Sequence, residues 1–264
     1  VSRGTNHPQD PSTIGSNVSA HFEALIVFTM IRHDLLDLHL ASIDYPTGHV
    51  FVVLNYASDV IKKKMFSVLA KFEKCPRSSA FPQRCRNHNI KKLHVLVSPQ
   101  NIGFAGNCNT GIKAMMEYDL SYAMFSGDDT RFLPLRIESA KSLIYRHPDL
   151  CMFHFEAYSS FALTRVGIQK IGPFDENFWP AYAEDCDYWF RAVLVGCSLF
   201  YRGGYLAETR SPRSMQNALV EPGDIKGSNI IGSVTYKSDS KLKRLVEGTL
   251  HPTRGRFAYL IRKW

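Results

Sequence analysis

The sequence predicts an α/β protein with a mostly parallel sheet, and two observations support that fold class. Apolar runs typical of strands buried on both faces alternate with amphipathic helical segments over about residues 24–150. Polar and acidic residues follow several of these strands, at the edge where such sheets bind ligands. With 264 residues, 45% of them apolar, the chain is long enough for one large domain with its own core.

The first half of the chain supplies the alternation. Four apolar runs are predicted to be strands, at residues 24–30, 49–54, 92–97 and 120–125. Apolar residues at helical spacing predict helices around residues 35–42 and 58–73, from near Asn109, and after Pro134. Asp34 is the predicted cap of the first helix, and Pro134 suits the first turn of the last one.

The second half has a looser pattern. Short strands are predicted at residues 151–155 and 161–164, followed by a helix over about residues 185–195 that Gly196 ends. Residues 208–236 are rich in Gly, Pro, Ser and Asn, and they are predicted to form a loop or a lid.

Both ends of the chain differ in composition from the middle. Residues 1–20 are polar and are predicted to form a mobile tail. Residues 237–264 form a basic extension with predicted helices, and its cations predict contact with an acceptor or an anionic membrane surface. Packing of this extension onto the domain, or a solvated helix face, is the alternative.

Net charge and hydropathy limit the classes of binding partner and the cellular locations that fit the chain. The formal net charge of +8 suits nucleic acid, an anionic membrane, a phosphate-bearing substrate or simply a basic surface. Nucleic acid is disfavoured because no basic motif interleaved with aromatic residues is present. No apolar run is long enough to predict a membrane span, and the start at Val1 resembles no signal peptide. We expect a cytoplasmic protein, with peripheral membrane contact as an option, or a lumenal one if an anchor precedes Val1.

The six cysteines form no CxxC pair, so a structural zinc site is not expected. Cys108, Cys151 and Cys186 lie in segments predicted to be in the core or close to a site, and free thiols in a reducing compartment are the expectation. Cys75 and Cys85 flank a basic loop and could pair in a secreted protein.

Two polar motifs follow predicted strands. Asp128 and Asp129 can bind a hard cation such as Mg²⁺ or Mn²⁺ through oxygen, and such a cation can neutralise a diphosphate. A helix-capping Asp in a turn is the alternative. The stretch Asn101–Gly111 is predicted to be a glycine- and amide-rich turn that approaches a ligand, or a turn that only caps the next helix.

A third motif follows aromatic residues and opens a helix. A carboxylate beside an apolar wall can act as a general base, which is our interpretation of Glu184 and Asp185. Acids also favour a helix N-terminus because of the helix dipole, so capping is the alternative. Asp187 is expected to be structural, or to contact residues of the site and not the ligand itself.

These motifs stand in the order found in the inverting nucleotide-sugar glycosyltransferases of family 2, which the chain resembles over roughly residues 24–207. The likeness is greatest to the rhamnosyltransferase-like members. The matching positions are Asn101 with Gly103, Asn109 with Gly111, residues 127–130, residues 172–176, Glu184, Asp185, Asp187, Arg191 and Gly196. The ending, residues 259–264, also resembles a Tyr…Lys-Trp segment found late in such enzymes.

The resemblance implies a GT-A fold over residues 21–236, with a donor half at about 21–130 and an acceptor half at about 131–236. It implies inverting transfer of a sugar from a UDP-, GDP- or dTDP-linked donor to a hydroxyl of a glycan or other acceptor. It also implies assistance by Mn²⁺ or Mg²⁺.

The resemblance further implies a role for particular residues. Asp185 is the implied base, and Asp129 and Glu208 are the implied metal ligands. The groups expected to contact the donor are Thr29, Arg32, Asn55, Asn101, Asn109 and Asp128. Trp179 and Tyr182 would stack on the acceptor sugar or pack in the core.

The chain departs from the family pattern at three places. Gly127 stands where the family has the first acid of its DxD motif, and Asn55 stands where it often has Asp. No histidine occurs at residues 203–209, where the family frequently has a metal ligand, and Glu208 is the nearest substitute.

Two other classes of function also fit parts of the sequence. The departures favour a catalytically silent relative that binds glycans or partners, whereas the intact Glu184 and Asp185 argue against it. A sugar nucleotidyltransferase is disfavoured because residues 29–33, directly after the first predicted strand, contain no glycine.

Overall fold

The computed structural model of the protein describes residues 20–29, 32–55, 57–73, 87–156, 158, 160–179, 183–197, 199–201 and 263. Within them, the strands are β1 (Phe22–Thr29), β2 (Thr47–Asn55), β3 (Ile90–Ser98), β4 (Tyr122–Gly127), β5 (Met152–Glu156), β6 (Ser160–Thr164) and β7 (Leu199–Tyr201). The α-helices are α1 (His33–Ala41), α2 (Asp59–Glu73), α3 (Gly103–Glu117), α4 (Arg136–Arg146), α5 (Arg165–Ile171) and α6 (Glu184–Leu194).

The strands form one mixed sheet in the order β3-β2-β1-β4-β6-β5-β7. β1 pairs in parallel with β2 and β4, β2 pairs in parallel with β3, and β5 pairs in parallel with β7. Only β6 runs against its neighbours β4 and β5 in this described sheet. The predicted α/β class with a mostly parallel sheet is therefore confirmed.

Alternate residues of the central strands fill two separate cores, one on each face of the sheet. Leu25 and Val50 point into the core that includes residues of α1, α2 and α4. Ile26 and Phe51 point into the opposite core, which includes residues of α3, α5 and α6. Because both faces are covered, β1 and β2 consist of continuous apolar runs instead of alternating polar and apolar residues.

The prediction for the start of α3 was wrong. We expected a turn through Gly111 and a helix from near Asn109, whereas the helix begins at Gly103. Gly111 lies inside it, where an added Cβ would lie 2.7 Å from Ile26 Cγ2 and 2.8 Å from Phe125 Cε1. The glycine therefore allows the backbone of α3 to pack directly on β1 and β4, which outweighs its low helix propensity.

The ends of two other helices also differ from the prediction. The N-cap of α1 is Arg32, and Asp34 lies in the first turn, where it pairs with Arg32 instead of capping the helix. α4 begins at Arg136 after Leu135, which has a φ of +65°, so Pro134 precedes the helix. Gly196 follows α6 with a φ of +64°, as expected of a glycine that ends a helix.

The expectation that Cys151 is a free thiol was wrong. Cys151 and Cys197 form a disulfide bond, with a Cα–Cα distance of 5.8 Å, between the start of β5 and the turn after α6. Cys108 is a buried free thiol and Cys186 an exposed one, as predicted for their oxidation state. Cys75 and Cys85 lie outside the described residues.

Several expectations fall on parts of the chain that are not described. These are the mobile tail, the loop or lid at residues 208–236, and the basic extension apart from Lys263. No helix in the described part of the chain is long and apolar enough to cross a membrane.

Candidate active site

The carboxyl ends of three parallel strands bring Thr29, Asn55 and the acidic pair Asp128 and Asp129 to one edge of the sheet. β1 ends at Thr29, β2 at Asn55 and β4 at Gly127, next to the acidic pair. Since β1 lies between β2 and β4, these three strand ends are adjacent. This edge is where open α/β sheets bind their ligands.

Asp128 is held by a neighbouring strand. The hydroxyl of Thr29 donates a hydrogen bond of 2.6 Å to Asp128 Oδ2, and the N–H of Asp128 donates to the carbonyl of Phe28 over 3.0 Å. Burial, together with the charge of Asp129, raises the pKa of Asp128 to about 8, although the Thr29 hydroxyl and Arg32 act in the opposite direction. Thr29 and Asp128, both predicted to contact the donor, thus contact each other.

Asp129 is the more accessible acid of the pair. Its side chain is exposed, although enough protein surrounds the carboxyl to raise its pKa. A Cβ atom at Gly127 would lie 2.5 Å from Asp129 Oδ1, so an acid at position 127 would force that carboxylate to move. Gly127 therefore leaves room for the Asp129 carboxylate in its present position.

Arg32 follows β1 and carries the positive charge nearest to the acidic pair among the predicted residues. Its guanidinium donates two hydrogen bonds to Asp34, of 2.9 and 2.7 Å. The hydrogen bond with Asp34, and the charges of Asp128 and Asp129, raise the pKa of Arg32. Arg32 thus lies within electrostatic reach of the acidic turn.

His39, which the sequence did not indicate as a site residue, contacts the backbone of the acidic turn. His39 is fully buried in α1, and its Nδ1 donates to the carbonyl of Thr130. In that tautomer Nε2 accepts, and the Ser126 hydroxyl lies 3.4 Å from it. Burial lowers the pKa of His39 to about 4, so the imidazole is neutral at physiological pH. A sequence signal for this role was absent because the contact spans more than ninety positions.

Asn55 and Asn101 form a linked pair of amides at the start of α3. Asn55 Nδ2 donates to Asn101 Oδ1 over 3.0 Å, and Asn55 Oδ1 accepts from the N–H of Ile102 over 2.9 Å. Asn101 Oδ1 also accepts from the N–H of Gly103. These bonds satisfy N–H groups at the helix start. Contact of both amides with the donor stays a prediction.

Trp179 and Asn109 each take part in contacts between the predicted donor half and the predicted acceptor half. The indole N–H of Trp179 donates to the carbonyl of Asn101 over 2.7 Å, and the ring keeps 39% of its surface exposed. Asn109 exchanges hydrogen bonds of 2.8 and 3.0 Å with the backbone of Phe174 and donates to Glu176 over 2.7 Å. Asn109 therefore bridges α3 to the segment around Phe174, and its predicted contact with the donor is untested.

Asp185 lies in the first turn of α6. It is partly exposed, and its Oδ1 accepts a hydrogen bond of 2.8 Å from the N–H of Cys186. The helix N-terminus stabilises a carboxylate there because the unpaired N–H groups carry partial positive charge. Glu184 and Asp187 are buried, which leaves Asp185 as the accessible acid among the three.

Tyr158 is a site residue to which the sequence analysis gave no role. It follows β5, whose carboxyl end lies at the same edge as that of β4, because β6 pairs antiparallel with both. Its hydroxyl is buried without a hydrogen-bond partner among the described residues, and its ring packs 5.2 Å from Phe161. Burial and the charge of Asp185 raise the pKa of Tyr158, so Asp185 lies near it.

The acidic pair fits a divalent cation. The carboxyl oxygens of Asp128 and Asp129 are hard ligands. Burial raises the pKa of both groups, and a bound cation would favour their ionised forms. Mg²⁺ is usually held by one or two carboxylates plus substrate phosphates. Among the described residues, no group of three or more His, Cys, Asp or Glu is placed to hold a metal ion, and Glu208 lies outside them.

Comparison with known proteins gives a fold and a short sequence match. The chain is similar to the mannosyltransferase PcManGT from Pyrobaculum calidifontis, solved in complex with GDP-Man and Mn²⁺, with a TM-score of 0.51 and 14% identity. It is also similar to TarS of S. aureus, with a TM-score of 0.48 and 14% identity over 66% of this chain and 55% of that chain. The likeness to PcManGT shows the GT-A-like fold that the sequence predicts.

A galactofuranosyl glycosyltransferase of Leishmania donovani is 42% identical over 48 residues, which are 18% of this chain and 11% of that protein. The alignment with PcManGT covers 74% of this chain and 58% of that chain. The chain thus spans little more than half of the structural relative and a small part of the sequence relative. No protein-family model matches the chain.

Proposed function

We propose that the chain is an inverting nucleotide-sugar glycosyltransferase. The observation that carries the proposal is the arrangement of three acids on a GT-A-like sheet. Asp128 and Asp129 follow β4, and Asp185 opens α6 close to Tyr158, which follows β5 at the same edge. An acidic pair suits a cation with a diphosphate, and a separate accessible carboxylate suits an acceptor hydroxyl.

In the proposed reaction Asp185 takes the proton from the acceptor hydroxyl. The acceptor oxygen forms a bond to the anomeric carbon of the donor sugar, on the face opposite the diphosphate. The bond from that carbon to the diphosphate oxygen breaks, and its electron pair leaves with the nucleoside diphosphate. Attack from the opposite face inverts the anomeric configuration. A divalent ion bound at Asp129 would neutralise negative charge on the leaving diphosphate.

The donor would lie across the carboxyl ends of β1, β2 and β4. There the proposed contacts come from Thr29, Arg32, Asn55, Asn101, Asn109 and Asp128. Arg32 would add attraction for the diphosphate, since its charge already acts on the acidic turn. The proposed sugar is a hexose or deoxyhexose, as in the rhamnosyltransferase-like members, and UDP, GDP and dTDP are the candidate carriers. Glu208 remains a proposed metal ligand.

The function is tested with a panel of UDP-, GDP- and dTDP-linked sugars, each with and without Mn²⁺ or Mg²⁺ and a hydroxyl acceptor. Release of nucleoside diphosphate that depends on the metal supports the proposal, and NMR of the glycoside product reports inversion. Binding of nucleoside diphosphates without turnover of any donor would favour the catalytically silent alternative. Release of pyrophosphate from a nucleoside triphosphate and a sugar phosphate would favour a nucleotidyltransferase.

A further inference from the structure

Lys263 lies far along the chain from the candidate site, yet it contacts two acids beside it. Its Nζ is 2.7 Å from Asp187 Oδ1 and 2.9 Å from Asp175 Oδ2. Asp187 belongs to α6, whereas Asp175 belongs to the segment that precedes Trp179. One ammonium group therefore joins two separate pieces of the chain.

These ion pairs are not ordinary surface contacts. The side chain of Asp187 is 0% exposed, that of Asp175 is 15% exposed, and that of Lys263 is 26% exposed. The second oxygen of Asp187 accepts from Arg191 Nε over 2.9 Å. A buried carboxylate between two cations depends on both of them, whereas a surface ion pair contributes little.

The two acids flank the residues that matter for the proposed chemistry. Asp187 is in the first turn of α6, which also holds Asp185. Asp175 Oδ1 accepts from the N–H of Asn177 over 2.9 Å and so caps the short 3₁₀ turn Glu176–Phe178. That turn leads to Trp179, whose indole reaches Asn101 in the donor half.

Resting on the proposed function, we infer that Lys263 is a positioning residue for the base. Its ammonium fixes the first turn of α6 against the 3₁₀ turn, and this sets the direction in which Asp185 meets the acceptor hydroxyl. The aromatic face of Phe178, whose centroid lies 5.8 Å from Nζ, helps to hold the ammonium in place. This role in positioning Asp185 differs from that of a cation that binds a membrane or is solvated.

The test compares Lys263→Met, which keeps the length of the side chain and removes its charge, with Lys263→Arg. Turnover is measured at saturating donor and acceptor, and the Kd of the nucleoside diphosphate with Mn²⁺ is measured by calorimetry. We expect Lys263→Met to lower kcat by on the order of 10- to 100-fold, because small misplacements of a catalytic group have effects of this size. The Kd should stay near that of the wild type, and Lys263→Arg should recover much of the loss.

Lys113→Met is the matched control, since Lys113 forms an exposed ion pair with Glu117 over 3.8 Å. It should leave kcat and Kd unchanged. If Lys263→Met does not fold, Asp175→Asn serves instead, because it removes one ion pair, leaves Asp187 paired and should also lower kcat with little change in Kd.

Two results would overturn the inference while the proposed function stands. One is a folded Lys263→Met with wild-type kcat, or, where that variant fails to fold, an Asp175→Asn with wild-type kcat. The other is a Lys263→Met variant in which kcat and the affinity for the nucleoside diphosphate fall by similar factors, with neither restored in Lys263→Arg. A wild-type protein that transfers no sugar overturns the proposed function and this inference together.

Discussion

The hydroxyl of Thr29 donates a 2.6 Å hydrogen bond to Asp128 Oδ2, so the two neighbouring acids of the β4 turn have different surroundings. Asp128 is tied to β1, whereas Asp129 is exposed above Gly127. Asp128 is the less exposed of the two, and its Oδ2 already accepts from the Thr29 hydroxyl, so it offers less free surface to a cation. We therefore predict that Asp129 makes the main contact with a metal and that Asp128 has a supporting role.

This difference predicts unequal effects of removing the two carboxylates. Asp129→Ala should weaken binding of a nucleoside diphosphate with Mn²⁺ by at least about tenfold, which corresponds to 1.4 kcal/mol. Asp128→Ala should weaken it less. Calorimetric titration with and without Mn²⁺ measures both. Equal losses, or a larger loss for Asp128→Ala, would contradict the assignment.

Six of the seven described strands were predicted from the sequence, whereas β7 and the start of α3 were not. Buried parallel strands are continuous apolar runs, and such runs are visible without any knowledge of neighbours. Gly103, Gly106 and Gly111 suggest a turn, but here Gly111 lies in a helix because its missing Cβ admits Ile26 and Phe125. That reason lies in another part of the chain.

The sequence predicts the candidate site as a set of acids, but it does not indicate the contacts among its residues. Asp128, Asp129 and Asp185 stand in motifs, so their types and spacing are informative. His39 and Tyr158 act through groups distant in sequence, and neither stands in a motif. The same holds for the Cys151–Cys197 disulfide, since pairing of cysteines depends on the folded path of the chain.

The buried His39 predicts a pH dependence of stability. Its pKa in the folded protein is about 4 and its ordinary value is 6.5, so protonation favours the unfolded chain. The contribution is complete above about pH 6.5 and is lost as the pH falls towards 4, by at most roughly 3 kcal/mol. His39→Gln should unfold with a weaker dependence on pH over this range, as measured by urea denaturation.

His88→Gln is the control, because His88 is exposed. The stability of this variant should depend on pH as that of the wild type does. Parallel stability curves for the wild type and His39→Gln between pH 4 and 6.5 would show that His39 does not cause the dependence.

The unpaired hydroxyl of Tyr158 predicts that its removal is tolerated. A buried hydroxyl without a partner costs free energy, so Tyr158→Phe should leave the free energy of unfolding unchanged or raise it by about 1 kcal/mol. Tyr122→Phe is the matched comparison, because the Tyr122 oxygen accepts a 3.2 Å hydrogen bond from the N–H of Glu23. That variant should be destabilised by about 1 kcal/mol. A clear loss of stability in Tyr158→Phe would reveal a partner for its hydroxyl.

The disulfide predicts that removing its two cysteines lowers the free energy of unfolding more than removing a free cysteine does. Cys151 and Cys197 are 46 residues apart, and closing such a loop in the unfolded chain contributes about 2–4 kcal/mol. Replacement of both by Ala should lower the free energy of unfolding by this amount, whereas Cys186→Ala, which removes an exposed free thiol, should have little effect. Peptide mapping without reductant checks the linkage itself. Recovery of Cys151 only as a free thiol would contradict it.

Whether Asp185 deprotonates an acceptor hydroxyl on this GT-A-like scaffold, as we propose, is decided by the variant Asp185→Asn. Loss of a general base typically costs on the order of 10²–10⁴ in rate, while donor binding should persist because the acidic pair after β4 is untouched. Asp59→Asn is the control, since Asp59 is a fully exposed carboxylate at the start of α2. The measurement is sugar transfer at saturating donor and acceptor, alongside the Kd of the nucleoside diphosphate with Mn²⁺. We expect loss of transfer with an unchanged Kd in Asp185→Asn alone. Near wild-type turnover of that variant would remove Asp185 from the proposed mechanism.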